Sequence, residues 1–327
     1  YYYLYLIYRI IREGGGLKKK EKDITQKNFE AYNDVFADII NGCLFDGEEV
    51  ISENSLMDAQ TYSQYKADDS AIHEQERDVA KYWLDKKCCI RLALIGVENQ
   101  LAIDTDMPLR IMGYDGSAYR DEMNQDELQT CQITGQKRRV KNKRYPIITL
   151  VLYFGKTPWK KPLCLYDALD IPPRLRAFVS DYKINVIDVP RLTDKQVGKF
   201  VSDFRIIADY FVQICNKKEY QPNKQKIRHA DGLLKLMSVL TNDKRYMEVY
   251  STDLDKMEGL DMCEVLDRVE SRGREIGKEI GKKYGIETIN KLYALLLAKG
   301  LNDDVTKAIR DKTYCDYLLN KYRSALV

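Results

Sequence analysis

At 327 residues, with 44% hydrophobic and 31% charged residues, the chain has the make-up of a globular protein that buries one large core, or one core and a smaller appendage. That composition excludes a chain that stays unfolded and one built mainly of membrane spans. A net charge of +3 is too small to hold nucleic acid by bulk attraction, so any such affinity needs a local basic patch.

Residues 1–11, YYYLYLIYRII, are too short to span a bilayer, which takes ~20 apolar residues, and they lack the basic start and small-residue cleavage site of a leader. Residues 1–22 are therefore expected to be a disordered or spurious extension. Eight scattered cysteines form no C-x-x-C pair, and only His73 and His229 complement them, so no zinc site is expected. Unpaired thiols of this kind fit a reducing cytoplasm, without membrane partners.

Asp23 or Thr25 can cap a first helix, whose apolar face is Phe29, Tyr32, Phe36, Ile39 and Ile40. It should end near Gly42, with Asp34 and Asp38 on the opposite, solvated face. Residues 46–76 are polar, with one strand expected near 56–62. Strands follow at 77–84 and 88–100, joined by a turn at 85–87. Residues 107–124 should form a helix, with Met107, Ile111, Tyr114 and Ala118 down one side. A basic connector at 136–145 leads into a β-branched and aromatic strand at 145–154, closed by Gly155 and Pro158. Another strand is expected at 184–189, then helices at 194–216, 226–241 and from about 261 onwards, including short ones at 292–300 and 305–319. Gly273, Gly277, Gly281 and Gly285 recur every four residues in that tail. A solvated, repetitive helix is the plainer explanation of that stripe, and packing against another helix is the alternative. The order of elements gives an α/β fold: a mixed sheet flanked by helices at 23–220, then a helical region at 221–327 with a glycine-interrupted charged helix at about 261–287.

One constellation carries chemistry. Cutting a phosphodiester at neutral pH needs an activated water and neutralisation of charge on the phosphate, and a divalent cation supplies both. Magnesium takes one or two carboxylates and fills its other positions with water and substrate oxygens. Strand alternation puts Glu98 and Gln100 on one face, and the turn at 85–87 would fold Asp78 back beside Glu98. By itself, D…E-x-Q is a common pattern, and solvated strand ends are its better explanation.

The segments YNDVFADIINGCLF (32–45), EQERDVAKYW (74–83), IRLALIGVENQ (90–100), MPLRIMGYDGSAY (107–119) and YPIITLVLYFGKTPW (145–159) narrow the choice. Together they resemble the Rpn family of recombination-promoting nucleases, often labelled putative transposases, within the PD-(D/E)XK nuclease superfamily. The resemblance runs from about residue 28 to 216. It implies a PD-(D/E)XK core in which Asp78 and Glu98 bind Mg²⁺, with Mn²⁺ as a substitute, and Gln100 completes the catalytic set where the superfamily name has lysine. Arg77, and not proline, precedes Asp78. Lys81 could provide the missing positive charge, and Asp34 could assist the metal.

Lys137, Arg138, Arg139, Lys141, Lys143 and Arg144 put six basic residues into eight positions. Such a run can position DNA through its phosphates without reading sequence, or it can be a solvated loop. Tyr119, Tyr145 and Trp159 could stack on bases, although packing is the commoner use of such aromatics. The expectation is a Mg²⁺-dependent DNA endonuclease tied to recombination or a mobile element, which could form homo-oligomers through its C-terminal helices. The alternative is a DNA-binding or assembly protein that keeps the fold without cutting.

Overall fold

A computed structural model describes residues 16–66, 72–85, 90–124, 127–130, 137–140, 143–252 and 259–326. Two helices open the fold, α1 (Gly16–Glu30) and α2 (Asn33–Leu44). Strands β1 (Leu56–Asp58), β2 (Tyr62–Lys66), β3 (Ile72–Glu76), β4 (Val79–Asp85) and β5 (Ile90–Gln100) follow. Helix α3 (Met107–Asn124) leads to β6 (Glu127–Thr130), β7 (Lys137–Val140), β8 (Ile147–Tyr153), the single turn α4 (Leu165–Ala168) and β9 (Asn185–Asp188). Helices α5 (Asp194–Val197), α6 (Phe204–Cys215), α7 (Ala230–Thr241) and α8 (Arg245–Thr252) complete this part.

The main sheet runs β1-β4-β5-β8-β9. Its first three strands are antiparallel, and β5, β8 and β9 are parallel. Leu94, Ile95 and Val97 on β5 are all buried although they alternate between faces, so helices must cover both sides. On one face α3 sets Met107, Ile111 and Tyr114 against Val151 and Tyr153, and Ala118 against Ala80, Leu94 and Ile147. On the other, Gln26 and Glu30 of α1 bond Asn99, and Phe36 of α2 lies under the Lys81 ammonium. This is the expected mixed α/β architecture, a five-stranded mixed sheet between helices with a helical C-terminal region, consistent with a PD-(D/E)XK-like core.

Several local expectations are corrected. The first helix is two: α1 starts at Gly16, so residues 16–22 belong to the fold, while the apolar run at 1–11 lies outside the described residues. The pair β2–β3 had no clear hydrophobic alternation to announce it. The helix expected at 194–216 is broken. Thr193 and Gln196 start α5 with a reciprocal capping box, and beyond its end Asp38 receives the backbone N–H groups of Val201 and Ser202 ahead of α6. Asp38 is thus buried and bonded, and not on a solvated face. Asp34 is not free either, as it bonds His229 Nε2 at 2.7 Å and Arg228 at 3.2 Å.

The described residues divide into two compact units after Cys263, later than the expected division at 220. In the second unit, α9 (Met262–Ala298) runs through the expected 292–300 helix without interruption. Helices α10 (Asn302–Arg310) and α11 (Lys312–Lys321) follow, and Leu292, Leu296, Ala308, Cys315, Leu318 and Leu326 form their shared core. A Cβ on Gly277, Gly281 or Gly285 would meet nothing within 4 Å, which is the solvated-helix form of the glycine repeat within one chain.

Candidate active site

Register brings the two acids together. Val79 pairs with Val97 across β4 and β5, so Asp78, one step before β4, falls level with Glu98. Asp78 Oδ2 accepts the Asn99 backbone N–H at 2.6 Å, and its Oδ1 lies 2.9 Å from Lys27 Nζ. Glu98 is only 3% exposed. Its Oε1 accepts from Gln100 Nε2 at 3.0 Å and from Arg110 Nη2 at 2.6 Å. Its Oε2 is buried without a hydrogen-bond partner. Asp78, Glu98 and Gln100 are therefore gathered at one end of β5, as expected.

Electrostatics at this end are strained in one direction. Burial, and then the charge of Asp78, pushes the Glu98 carboxyl up to about 7 against the opposing pull of Arg110 and Gln100. Asp78 is raised as well, by burial that outweighs the Asn99 N–H and Lys27. A third acid, Glu30 on α1, is pushed up to about 8, mainly by burial, despite donors from Asn99 and Gln26. Two neighbouring carboxylates that resist ionising, one with an unpartnered oxygen, form a place where added positive charge is stabilised. Among the described residues, no three His, Cys, Asp or Glu side chains converge as a metal cage. A magnesium ion needs only one or two carboxylates, so the donor set of Asp78 and Glu98 fits it.

The position before Asp78 has its own device. The Arg77 side chain is buried and crosses β5 over Gly96, where a Cβ would lie 2.4 Å from Arg77 Cδ. Its guanidinium meets Asp115 Oδ1 at 2.7 Å and Thr149 Oγ1 at 3.2 Å. Thr149 and Tyr182 hydroxyls also donate to Asp115, so the carboxylate is fully engaged. This network clamps the turn carrying Asp78 to β8 and α3, so a proline is not needed to stiffen it.

Lys81 does not supply charge to the acids. It pairs with Ile95, which points to the face opposite Glu98, and its ammonium is spent on Asp58 at 2.5 Å. Lys27 and Arg110 are the cations that reach the pair, and the sequence reading missed both, together with Glu30. Two signals were present: Gln26 and Glu30 are four apart on one helix, and Arg110 closes the quoted MPLR segment four residues before Tyr114, whose hydroxyl it bonds at 2.9 Å.

The basic run is not brought to the acids. Lys137, Arg138 and Arg139 lie on β7, which pairs only with β6, and Lys141 falls outside the described residues. Lys143 and Arg144 are exposed just before β8, with Arg144 donating to the Glu122 carbonyl. Ile147 is level with Leu94 and Val151 with Glu98, so the start of β8 is about 13 Å along the strands from Glu98, and Lys143 and Arg144 precede it. Tyr119, Tyr145 and Trp159 are used in packing: Tyr119 accepts the Ile147 N–H, Tyr145 packs edge-on to Tyr82, and Trp159 bonds the Pro162 carbonyl.

Residues 93–235 match the family described as "Putative transposase, YhgA-like". The match covers less than half of the chain and stands as a similarity. The matched segment starts within β5 and ends within α7, so it contains Glu98, Gln100, Arg110 and the basic run. Asp78, Lys27 and Glu30 come from chain that precedes it. No curated protein and no solved structure matches the chain. Among the described residues, no helix is long and apolar enough to cross a membrane.

Proposed function

We propose that this protein is a divalent-cation-dependent endonuclease that hydrolyses DNA phosphodiester bonds in the service of recombination or a mobile element. The observation that carries the proposal is the juxtaposition of Asp78 and Glu98, with the buried Glu98 Oε2 left without a partner. These two carboxylates would hold Mg²⁺, or Mn²⁺ in its place. What such a cation supplies when bound is neutralisation of phosphate charge and easier ionisation of water. Gln100 donates its amide to the Glu98 carboxylate and would orient a water or phosphate oxygen. Lys137, Arg138, Arg139, Lys141, Lys143 and Arg144 would track the duplex backbone without selecting sequence. Nicking of supercoiled plasmid in Mg²⁺ that stops in EDTA and in Asp78→Ala and Glu98→Ala is the expected result; cutting by both variants at the wild-type rate would defeat the proposal.

One observation favours a second reading, a DNA-binding or assembly protein that no longer cuts. Lys27 and Arg110 already neutralise the two acids within the chain. Retained DNA binding without nicking in Mg²⁺ or Mn²⁺ would select it. In either case the five described cysteines are free thiols, which suits a cytoplasmic setting. Self-association would run through the tail helices, and gel filtration with and without residues 264–327 reads it directly.

A further inference from the structure

We propose that Arg110 is a catalytic residue that contacts the phosphate being cut, an assignment that rests on the nuclease reading above. Hydrolysis of a phosphodiester adds hydroxide to a group that already carries one negative charge, so negative charge on the phosphate grows towards two. Gln100 is neutral and cannot meet it. Four cations stand near the acids, and three are committed elsewhere. Arg77 is 5% exposed and locked on Asp115. Lys81 is buried on the far face of the sheet. Lys27 is shared between Asp23 and Asp78 from the α1 side.

Arg110 differs in placement and in chemistry. It reaches Glu98 Oε1, the same oxygen that Gln100 holds, so its charge arrives where the Gln100 amide does. Its side chain is nevertheless 38% exposed, against 4% for Glu98, so solute can reach it where it cannot reach Glu98. Asp104 and the Tyr114 hydroxyl hold the fork in position from the solvent side and from α3. A planar guanidinium has five donors and can serve a phosphate in two-pronged fashion while keeping a protein partner.

The test uses the full chain and a fluorescent DNA duplex, with Ca²⁺ in place of Mg²⁺, and follows the affinity across a salt series. Arg110→Gln should lower the slope of log Kd against log salt by about one, while Arg110→Lys leaves it unchanged. Single-turnover cutting at saturating Mg²⁺ should fall roughly 100-fold in Arg110→Gln and recover in part in Arg110→Lys. Phenylglyoxal labelling of the unmutated protein, mapped by mass spectrometry, gives a reading that does not depend on the variants folding, and DNA should protect Arg110. An unchanged slope and cutting rate in Arg110→Gln, or equal labelling with and without saturating DNA, would overturn the assignment and leave Arg110 as a support for Glu98. A wild-type protein that shows the Arg110-dependent slope but never cuts would sink the nuclease reading and keep the phosphate contact. Cutting with no change in slope, rate or labelling would do the reverse.

Discussion

Glu30 shows what burial does to a single carboxyl at this end of the sheet. Its folded value of about 8 lies above the ordinary glutamate value of 4.5, so the folded chain binds the extra proton between those pH values. Stability therefore falls as pH rises through that window and levels off above it. In metal-free protein, Glu30→Gln should raise the melting temperature at pH 9, by roughly 5 °C, and change it little at pH 4; an equal shift at both pH values would contradict the assignment. Arg77 makes the complementary case. Arg77→Met leaves Asp115 buried without its counter-charge, at a cost of about 3–5 kcal/mol in urea unfolding. The side-by-side placement of Asp78, Glu98 and Gln100 was legible because strand alternation and a short turn fix it locally, whereas their roles came from the family resemblance alone. Lys27, Glu30 and Arg110 were not, since they come from two helices whose faces are set by tertiary packing. Lys81 is a different case, since strand alternation from Asp78 already puts it on the opposite face.

At the scale of elements, hydrophobic period was informative wherever an element is buried along its length. The helix at 107–124 has the expected bounds, and β4, β5, β8 and β9 lie within two residues of the expected ranges. Polar and interrupted segments were not legible. The break between α5 and α6 depends on Asp38, more than 160 residues away, which captures two N–H groups that a continuous helix would have used. Asp38→Ala should strand those donors and cost about 1–3 kcal/mol in denaturant unfolding, with Asp38→Asn recovering part of it. Gly96→Ala would drive a methyl into Arg77 and should cost about 1–3 kcal/mol by the same measurement. A neutral effect of Gly96→Ala would mean that Arg77 does not cross β5 there.

For the whole molecule, the sheet unit and the tail unit have separate cores, so their stabilities should be separable. Leu296→Ala removes a fully buried side chain from the tail core and should lower the tail transition by about 2–5 kcal/mol while leaving the sheet transition in place. A single melt displaced as one would show a common cooperative unit. The α/β class was legible because the buried strands and the amphipathic α3 announced themselves, whereas the division after residue 263 was hidden by a helix that runs through it. The claim on which the rest depends is that Asp78 and Glu98 act together on DNA. Plasmid nicking by the full chain, titrated with Mg²⁺ and compared with Asp78→Ala and Glu98→Ala, tests it most directly. Cation-dependent nicking that each substitution lowers by at least about 100-fold is the predicted result. Nicking that survives EDTA, or that both substitutions leave intact, would contradict it.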